Sequence, residues 1–302
     1  MNSKQPRRFG RPMTKSSLLA LACLAAVSIT LATCTSKQQR AITDAPADEA
    51  DSLFLDSLES AADTLLLDIE TAEVPLPETV DELFNDFLFS FDQSNRLQRS
   101  RIRFPLPVVG VNGETTFLQR RDWQHHYLLL HRDFCTVLWN TRRQFSMAQD
   151  TTVSEARVDQ IYLHSRMIES FVFQRDSVNG LWMLTELCKI PFGHTDLAPF
   201  LDFYREFTTD SAFQRRHVSD PMKYVTIDAE TYEPTTGSIN ADQWFEFQPE
   251  MPADVLINIA YGQTYNDPHR MILQLRGISN GMESILGFIH DGHTWRLREL
   301  EN

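Results

Sequence analysis

Apolar residues recur at helical spacing in two stretches of the chain. Between Val80 and Phe91 they fall three or four residues apart, which places them on one face of a helix. Thr79 is followed three residues later by Glu82, a capping-box pattern typical of a helix start. A second stripe runs from Phe200 to Phe207. The pattern predicts two amphipathic helices, each with one buried face.

Strand-like segments separated by turn dipeptides follow each predicted helix. Asn280-Gly281 and Asp291-Gly292 divide the C-terminal segments, and such dipeptides favour tight hairpin turns. Asn179-Gly180 lies at a similar place in the first half. Each half is therefore predicted to end in a three-stranded antiparallel meander. The predicted strands are 158–164, 168–175, 181–190, 271–278, 283–289 and 294–300.

The two halves of the chain also align with each other. Residues 84–105 match residues 200–221 without a gap, and Trp182 matches Trp295 near the far ends. Matches at both ends in the same order predict two copies of one domain. A helix laid across a curved sheet buries both apolar faces, so each copy is expected to be α+β. The identical pairs are Phe84/Phe200, Asp86/Asp202, Phe87/Phe203, Phe91/Phe207, Gln98/Gln214, Arg99/Arg215 and Pro105/Pro221.

Composition limits the possible partners of these domains. The chain has 302 residues, of which 42% are apolar, so it has room for two domains with packed cores. Its formal net charge of −13 repels phosphate backbones, so nucleic acid is not an expected partner. Cys135 and Cys188 lie in the predicted domains. The sequence leaves open whether they pair or stay free.

The N-terminus has the pattern of an export signal. Four basic residues between Arg7 and Lys15 precede an apolar run from Leu18 to Leu31, as in secretory signal peptides. The run ends in Leu31-Ala32-Thr33-Cys34, which resembles the bacterial lipobox. That resemblance implies cleavage before Cys34 and lipid attachment to its sulfur. An ordinary signal peptide with a chance cysteine and an uncleaved signal anchor are the alternatives.

An acidic stretch separates Cys34 from the first predicted domain. Residues 35–78 contain 11 acidic and two basic side chains, a composition that favours an extended tether. The sequence therefore predicts a signal peptide (1–33), a tether (34–78) and two domains (79–190 and 191–302). We expect a lipid-anchored protein of the cell envelope, on the periplasmic face or the cell surface, with the membrane as a partner.

Several of these features together resemble one family. They are the phenylalanine-rich helix, the passage from Phe213-Gln214 to Pro221 and the closing tryptophan strand. They resemble lipoproteins of unknown function from Gram-negative gut anaerobes, with the nuclear-transport-factor-2-like (cystatin-like cone) fold. The resemblance covers about 79–302 and is looser in the first copy, where Leu97 and Ile102 replace the Phe and Val. It implies two tandem cone-like domains, each a helix on a curved antiparallel sheet, and no particular activity.

The resemblance also implies a possible cavity at the mouth of each cone. Residues that both copies share are needed for folding, so a site would rather use residues that differ between them. The tryptophans Trp123 and Trp244 could line a pocket or pack the core. The pocket candidates are Trp123, His126, Tyr127, Tyr204, His217 and Trp244.

Candidates for chemistry are few. Asp86 and Asp202 occupy matching helix positions and could act as general bases in a cavity, but a solvated helix face is the better explanation for them. His290 and His293 would face each other across a two-residue turn, but a functional zinc site needs three or four ligands. No sequence motif of a motif-dependent enzyme class is present. We therefore expect no catalytic residue, metal or cofactor.

Three functions remain open at this stage. The first is a non-catalytic envelope module that binds a small molecule, a glycan or an envelope protein. The second is a small-molecule isomerase or hydro-lyase that uses the cavity of one cone, with Asp202 or His217 as candidates. The third is a structural envelope protein whose two copies pack on each other.

Overall fold

The computed structural model describes residues 80–131, 133–278 and 280–302. The predicted signal peptide, the lipid attachment at Cys34 and the acidic tether lie outside the described residues. Within the described ranges, no helix is both long enough and apolar enough to cross a membrane.

The described chain contains five α-helices, and the two predicted helices are the longest of them. The first begins at Phe84 and not at Val80, so the predicted helix start is wrong by one turn. The reason is that Asp81 binds the Arg101 guanidinium with both carboxylate oxygens (2.7 and 2.9 Å), which holds residues 80–83 in a turn. The helices are α1 (Phe84–Gln93), α2 (Asn95–Ser100), α3 (Ala198–Thr209), α4 (Ser211–His217) and α5 (Trp244–Phe247).

Twelve strands form one sheet, and they dominate the fold. Their order across the sheet is β2-β1-β6-β5-β4-β9-β3-β10-β11-β12-β7-β8. The six predicted meander segments correspond to β4–β6 and β10–β12. The strands are β1 (Leu106–Val109), β2 (Thr115–Leu118), β3 (Phe134–Trp139), β4 (Glu155–Tyr162), β5 (Met167–Arg175), β6 (Trp182–Pro191), β7 (Val218–Ile227), β8 (Pro234–Ile239), β9 (Val255–Ala260), β10 (Arg270–Gly277), β11 (Glu283–His290) and β12 (Trp295–Glu301).

Strands β1–β6 can be matched to β7–β12 in chain order, β1 with β7, β2 with β8 and so on. With this matching, the first five strands follow the same order from either edge of the sheet. At the centre, however, two strands change sides. Strand β3 pairs antiparallel with β10 of the second half, and β9 pairs antiparallel with β4 of the first half. The sheet is therefore continuous across the predicted domain boundary after Ile190.

The two long helices pack against cores on different faces of this sheet. Alternate side chains of a strand point to opposite faces, so the central strand β3 serves both cores. Its Val137 and Trp139 join the core of α1, whereas Leu138 joins the core of α3. The described residues consequently form one compact unit. The expected mixed α+β fold is observed, but not as two separately packed bodies, because each core needs strands from both halves.

Side chains join the central strands β3 and β9, which share little backbone pairing. Strands β3 and β9 run parallel with only Thr136 and Asn258 in register. Asn258 Oδ1 accepts the N–H of Leu138 at 2.8 Å, and Gln263 Nε2 donates to the Leu138 carbonyl at 3.1 Å. Asp159 of β4 accepts a further bond from Asn258 Nδ2 at 3.3 Å. The first two bonds satisfy the backbone N–H and C=O of Leu138, and the third ties Asn258 to β4.

Candidate functional site

A cavity of about 480 Å³ lies between α1 and the central strands. Its wall on the helix side carries Phe89 and Ser90, and its floor carries side chains of β3, β9 and β10. The lining is mainly apolar, with a single cationic side chain, Arg276. The lining residues are Val80, Asn85, Asp86, Leu88, Phe89, Ser90, Leu129, Cys135, Ile259, Arg276, Gly277 and Ile278.

A second cavity of about 520 Å³ adjoins the first. The two share Phe89, Leu129 and Ile278, so they form one depression along α1, which we call the α1 groove. Each cavity has the volume of a small-molecule site, for which about 300–1,000 Å³ is usual. The residues of the second cavity are Phe89, Asp92, Gln93, Tyr127, Leu129, Leu130, His131 and Ile278.

The α1 groove exposes apolar and aromatic surface along its length. Phe89 is 46% exposed, Tyr127 56% and Leu130 43%. Single exposed apolar residues are normal on protein surfaces, but a contiguous group beside a cavity is typical of a binding site. The groove therefore has the features of a place where another molecule binds.

Arg276 carries the only positive charge among the described residues that line the first cavity. It lies on β10, in register with Cys135 of β3 and Glu283 of β11. The Glu283 carboxylate accepts a hydrogen bond from Gln274 instead. Among residues 80–302 as described, no carboxylate lies within ion-pair distance of Arg276.

Two neutral groups, the Cys135 thiol and the Tyr261 hydroxyl, lie beside Arg276. Burial raises the pKa of the Cys135 thiol, so that thiol is protonated at neutral pH. Burial likewise raises the pKa of Tyr261, whose hydroxyl interacts with Arg276 and donates to Asn85. Within the described ranges Arg276 thus forms no ion pair, and the Glu283 carboxylate across from it on β11 is hydrogen-bonded to Gln274.

Asp92 holds the loop that forms the outer wall of the groove. It is 1% exposed and accepts the backbone N–H groups of Leu128 (2.6 Å) and Leu129 (2.9 Å). Burial raises the pKa of Asp92, and these hydrogen bonds oppose the shift because they favour the carboxylate. The loop that carries Tyr127 is thereby fixed to the end of α1.

The candidates of the first half lie close together but have different surroundings. Trp123 is buried, and its Nε1 donates to Gln98 Oε1 at 3.2 Å. His126 is held by the same Gln98, which accepts from its N–H (3.1 Å) and donates to its carbonyl (2.8 Å). Its ring packs on Phe171. Of the three, Tyr127 lines the α1 groove.

The candidates of the second half pack in or on the core of α3. Tyr204 and Trp244 are both 0% exposed, and their hydroxyl and indole N–H have no hydrogen-bond partner among the described residues. Burial raises the pKa of Tyr204. His217 stacks on Phe213 with 3.8 Å between ring centroids. These three residues support the helix packing and do not line the α1 groove.

The matched aspartates also differ. Asp86 is exposed at the rim of the α1 groove. Asp202 forms an ion pair with Arg166, with 2.7 Å between Asp202 Oδ1 and Arg166 Nη1. The angles of this contact are not those of a hydrogen bond. Neither is placed as a buried general base.

The expected opposition of His290 and His293 is wrong. His290 pairs with Trp295 in the β11–β12 ladder, which leaves a four-residue loop. The reason is that Asp291 accepts the N–H groups of His293 (3.0 Å) and Thr294 (2.9 Å) and so widens the turn. No group of three or more potential metal ligands occurs in the described ranges.

A smaller cavity of about 260 Å³ lies where the two halves meet, and Asp159 lines it. Burial raises the pKa of Asp159, which is a feature of some catalytic acids. Both of its oxygens are used, however, because Ser170 donates to one (2.7 Å) and Asn258 to the other. We therefore assign Asp159 to holding the central strands together.

The two cysteines of the described chain are free thiols. Cys135 lines the α1 groove, whereas Cys188 of β6 donates a hydrogen bond to the Glu186 carboxylate on the same strand. Burial and the adjacent Glu186 carboxylate raise the pKa of Cys188 to about 12.

Sequence reasoning missed Arg276, Phe89 and Leu129, which define the groove. A signal for Arg276 was present, because it is the one charged residue within the otherwise apolar and amide-bearing run 271–278. Nothing in the local pattern indicated that β10 would lie beside β3 and α1.

Comparison with known proteins places this arrangement in a fold class. The crystal structure of an NTF2-like protein from Bacteroides fragilis is 33% identical to this chain and has a TM-score of 0.70. The match covers 75% of this chain and 98% of that one. The predicted nuclear-transport-factor-2-like resemblance is therefore confirmed.

The chain also matches a protein family over residues 62–302, and it belongs to that family, described as a domain of unknown function (DUF4348). The expectation of a family without an assigned activity is confirmed by this match. No curated protein matches the chain.

Proposed function

We propose that this protein is a non-catalytic binding module of the cell envelope and that the α1 groove is its binding site. The observation that carries the proposal is the groove itself, a mainly apolar cavity with one arginine outside any ion pair of the described chain. A concave site of this volume with apolar walls favours a small molecule with apolar surface. A polar glycan or a flat protein surface would fit these walls less well.

The proposed location rests on the sequence. The basic and apolar N-terminal segment and the lipobox-like Cys34 support a lipid anchor in the envelope membrane. The acidic composition of residues 34–78 supports a tether between that anchor and the binding module.

We also infer that the fold consists of two copies of one cone-like unit with exchanged central strands. The matched sequence of residues 84–105 and 200–221 and the matched strand order support this. Such an exchange explains why one sheet serves both cores. It also keeps the third function open, in which the two copies act as an internal pseudo-dimer.

The geometry favours the isomerase or hydro-lyase alternative less. That function needs a titratable group that is free to act inside a cavity. Asp202 is ion-paired, His217 is stacked on Phe213, and the oxygens of Asp159 are occupied.

Binding of the neutral dye Nile red to residues 62–302 tests the proposed function. This segment matches the family, and a separate match to the crystallised relative covers 98% of that chain and 75% of this one, so a chain of about this extent folds there. We expect saturable fluorescence enhancement with one dye per chain. Ser90→Trp, which places a large ring in the groove, should abolish the enhancement.

The matched control is Glu206→Trp, because Glu206 is exposed at the aligned position of α3. It should leave dye binding unchanged. Equal dye binding by the Ser90→Trp variant, or no binding by the unmodified segment, would contradict the proposal.

A further inference from the structure

Arg276 indicates what kind of molecule the groove takes. A charged side chain that is partly buried loses part of its hydration free energy, and without an opposite charge nearby no interaction compensates this loss. Elsewhere in the described chain, the well-buried Arg101 has Asp81 as its partner at 2.7 Å, with side-chain exposures of 11% and 13%. Arg276 lines a cavity, and among the described residues no carboxylate lies within ion-pair distance of it.

We propose, building on the binding function above, that the α1 groove binds a free amphipathic monocarboxylate. Its carboxylate lies on the guanidinium of Arg276, and its hydrocarbon chain runs along Leu129 and Phe89. Arginine presents paired N–H donors that match the two oxygens of a carboxylate.

The charges around the groove orient such a ligand. Asp86, the acidic residue of the first cavity, is exposed at its rim on α1 and repels an anion there. Cys135 beside Arg276 is neutral. The most favourable position for a carboxylate is therefore at the sheet floor and not at the helix.

The hydrocarbon part can follow apolar side chains through both cavities, although Asp92, Gln93 and His131 also line the second one. From Arg276 the two cavities join at Leu129 and Phe89, and the second opens toward Leu130 and Tyr127. Burial of each methylene along this path adds favourable transfer free energy. A long chain with one carboxylate uses both the apolar walls and the single charge.

The experiment compares dodecanoate with dodecanol as competitors of Nile red on residues 62–302, below the concentration at which dodecanoate forms micelles. The two probes differ in head-group charge and share the chain. We expect dodecanoate to bind at least about tenfold more tightly, as for a charge-assisted hydrogen bond. Arg276→Gln should remove this preference by weakening dodecanoate alone.

Two further variants keep the result interpretable. Arg298→Gln removes an exposed arginine on β12 and should leave both affinities unchanged. Arg276→Lys retains the charge and should keep most of the preference, which covers the case in which Arg276→Gln unfolds.

Three outcomes would overturn the inference. If Nile red binds but the two competitors are equal, the groove binds apolar molecules without reading charge, and the proposed function survives alone. If dodecanoate binds only after residues 62–79 are removed, the groove is covered by the chain itself. If neither dye nor competitor binds, both proposals fail together.

Discussion

The surroundings of α1 and of α3 have the same strand order but differ in how the sheet floor beside the helix is filled. Next to α1, Arg276 of β10 is in register with Cys135 of β3. At the corresponding place next to α3, Ile161 of β4 is in register with Leu256 of β9, and both are fully buried. Phe192 also packs in that core.

The helices differ in the same sense. Phe89 and Ser90 of α1 line the groove, whereas the aligned positions of α3 hold Arg205 and Glu206. The side of α3 is thus a packed core with a charged outer helix face, whereas the side of α1 contains a cavity. The comparison teaches that a shared backbone plan does not make a site, because a few side chains decide whether the space is filled.

The largest expected effect comes from separating the two sides. Residues 79–190 alone would lack β9 and β10, so β4 and β3 would present unpaired edges. We expect this fragment to aggregate or to form a dimer that exchanges β3, as measured by light scattering after size exclusion. Residues 62–302 serve as the control, and a folded monomeric fragment would contradict the exchange.

The filled core beside α3 should not tolerate a positive charge like that of Arg276 beside α1. Ile161→Arg places an unpaired cation in a filled core and should lower the free energy of unfolding by about 4 kcal/mol or more. Urea denaturation of residues 62–302 measures it. Ile227→Arg, at a position 52% exposed, should change stability by at most about 0.5 kcal/mol. A small loss at Ile161 would mean that this core also opens easily.

The residues that directly precede α1 and α3 are also held in place by different interactions. Asp81 binds Arg101 and the N–H of Trp182 (2.9 Å), whereas the aligned Leu197 is buried in the core. Asp81→Ala leaves Arg101 unpaired and should lower the free energy of unfolding by about 3 kcal/mol.

The control for this anchor is an exposed ion pair. Arg121 and Asp122 are 87% and 52% exposed, so Asp122→Ala should cost about 0.5 kcal/mol or less. Equal losses for the two alanine variants in urea denaturation would show that the Asp81 pair adds nothing to the anchor.

Replacing Arg276 beside α1 by isoleucine, the residue at the corresponding place beside α3, should have a smaller effect on stability. Arg276→Ile removes a partly buried cation and adds apolar contact, and we expect a gain of about 1 kcal/mol. The exposed Arg298→Ile is the matched control for thermal and urea unfolding. A clear loss of stability would indicate that Arg276 is needed to hold Tyr261.

The smallest effect concerns the rates of thiol modification. Burial raises the pKa of Cys135 and Cys188, so both thiols are protonated near neutral pH. Because the thiolate reacts, labelling by N-ethylmaleimide should rise about tenfold per pH unit below each pKa. Dodecanoate should slow labelling of Cys135 in the groove and not of Cys188. Mass spectrometry of each site measures this, and equal protection would argue against occupancy of the groove.

Local pattern determined much of this protein. The apolar stripes identified α1 and α3, and the Asn-Gly and Asp-Gly turns located the strands of both meanders. Turn and helix signals act over a few residues, so they can be read without the rest of the chain. The family resemblance followed from the same short passages and was confirmed.

Only the tertiary structure decided the pairing of the central strands and the position of Arg276. Strand β3 is apolar on both faces, so its sequence suits a place beside β4 as well as beside β10. The exchange then brings Cys135, Arg276 and α1 together from distant parts of the chain. A cavity is the space left between such non-local neighbours, and no periodicity along one segment records it. Local chemistry therefore determined the elements of this protein, and long-range packing determined where they leave room for a ligand.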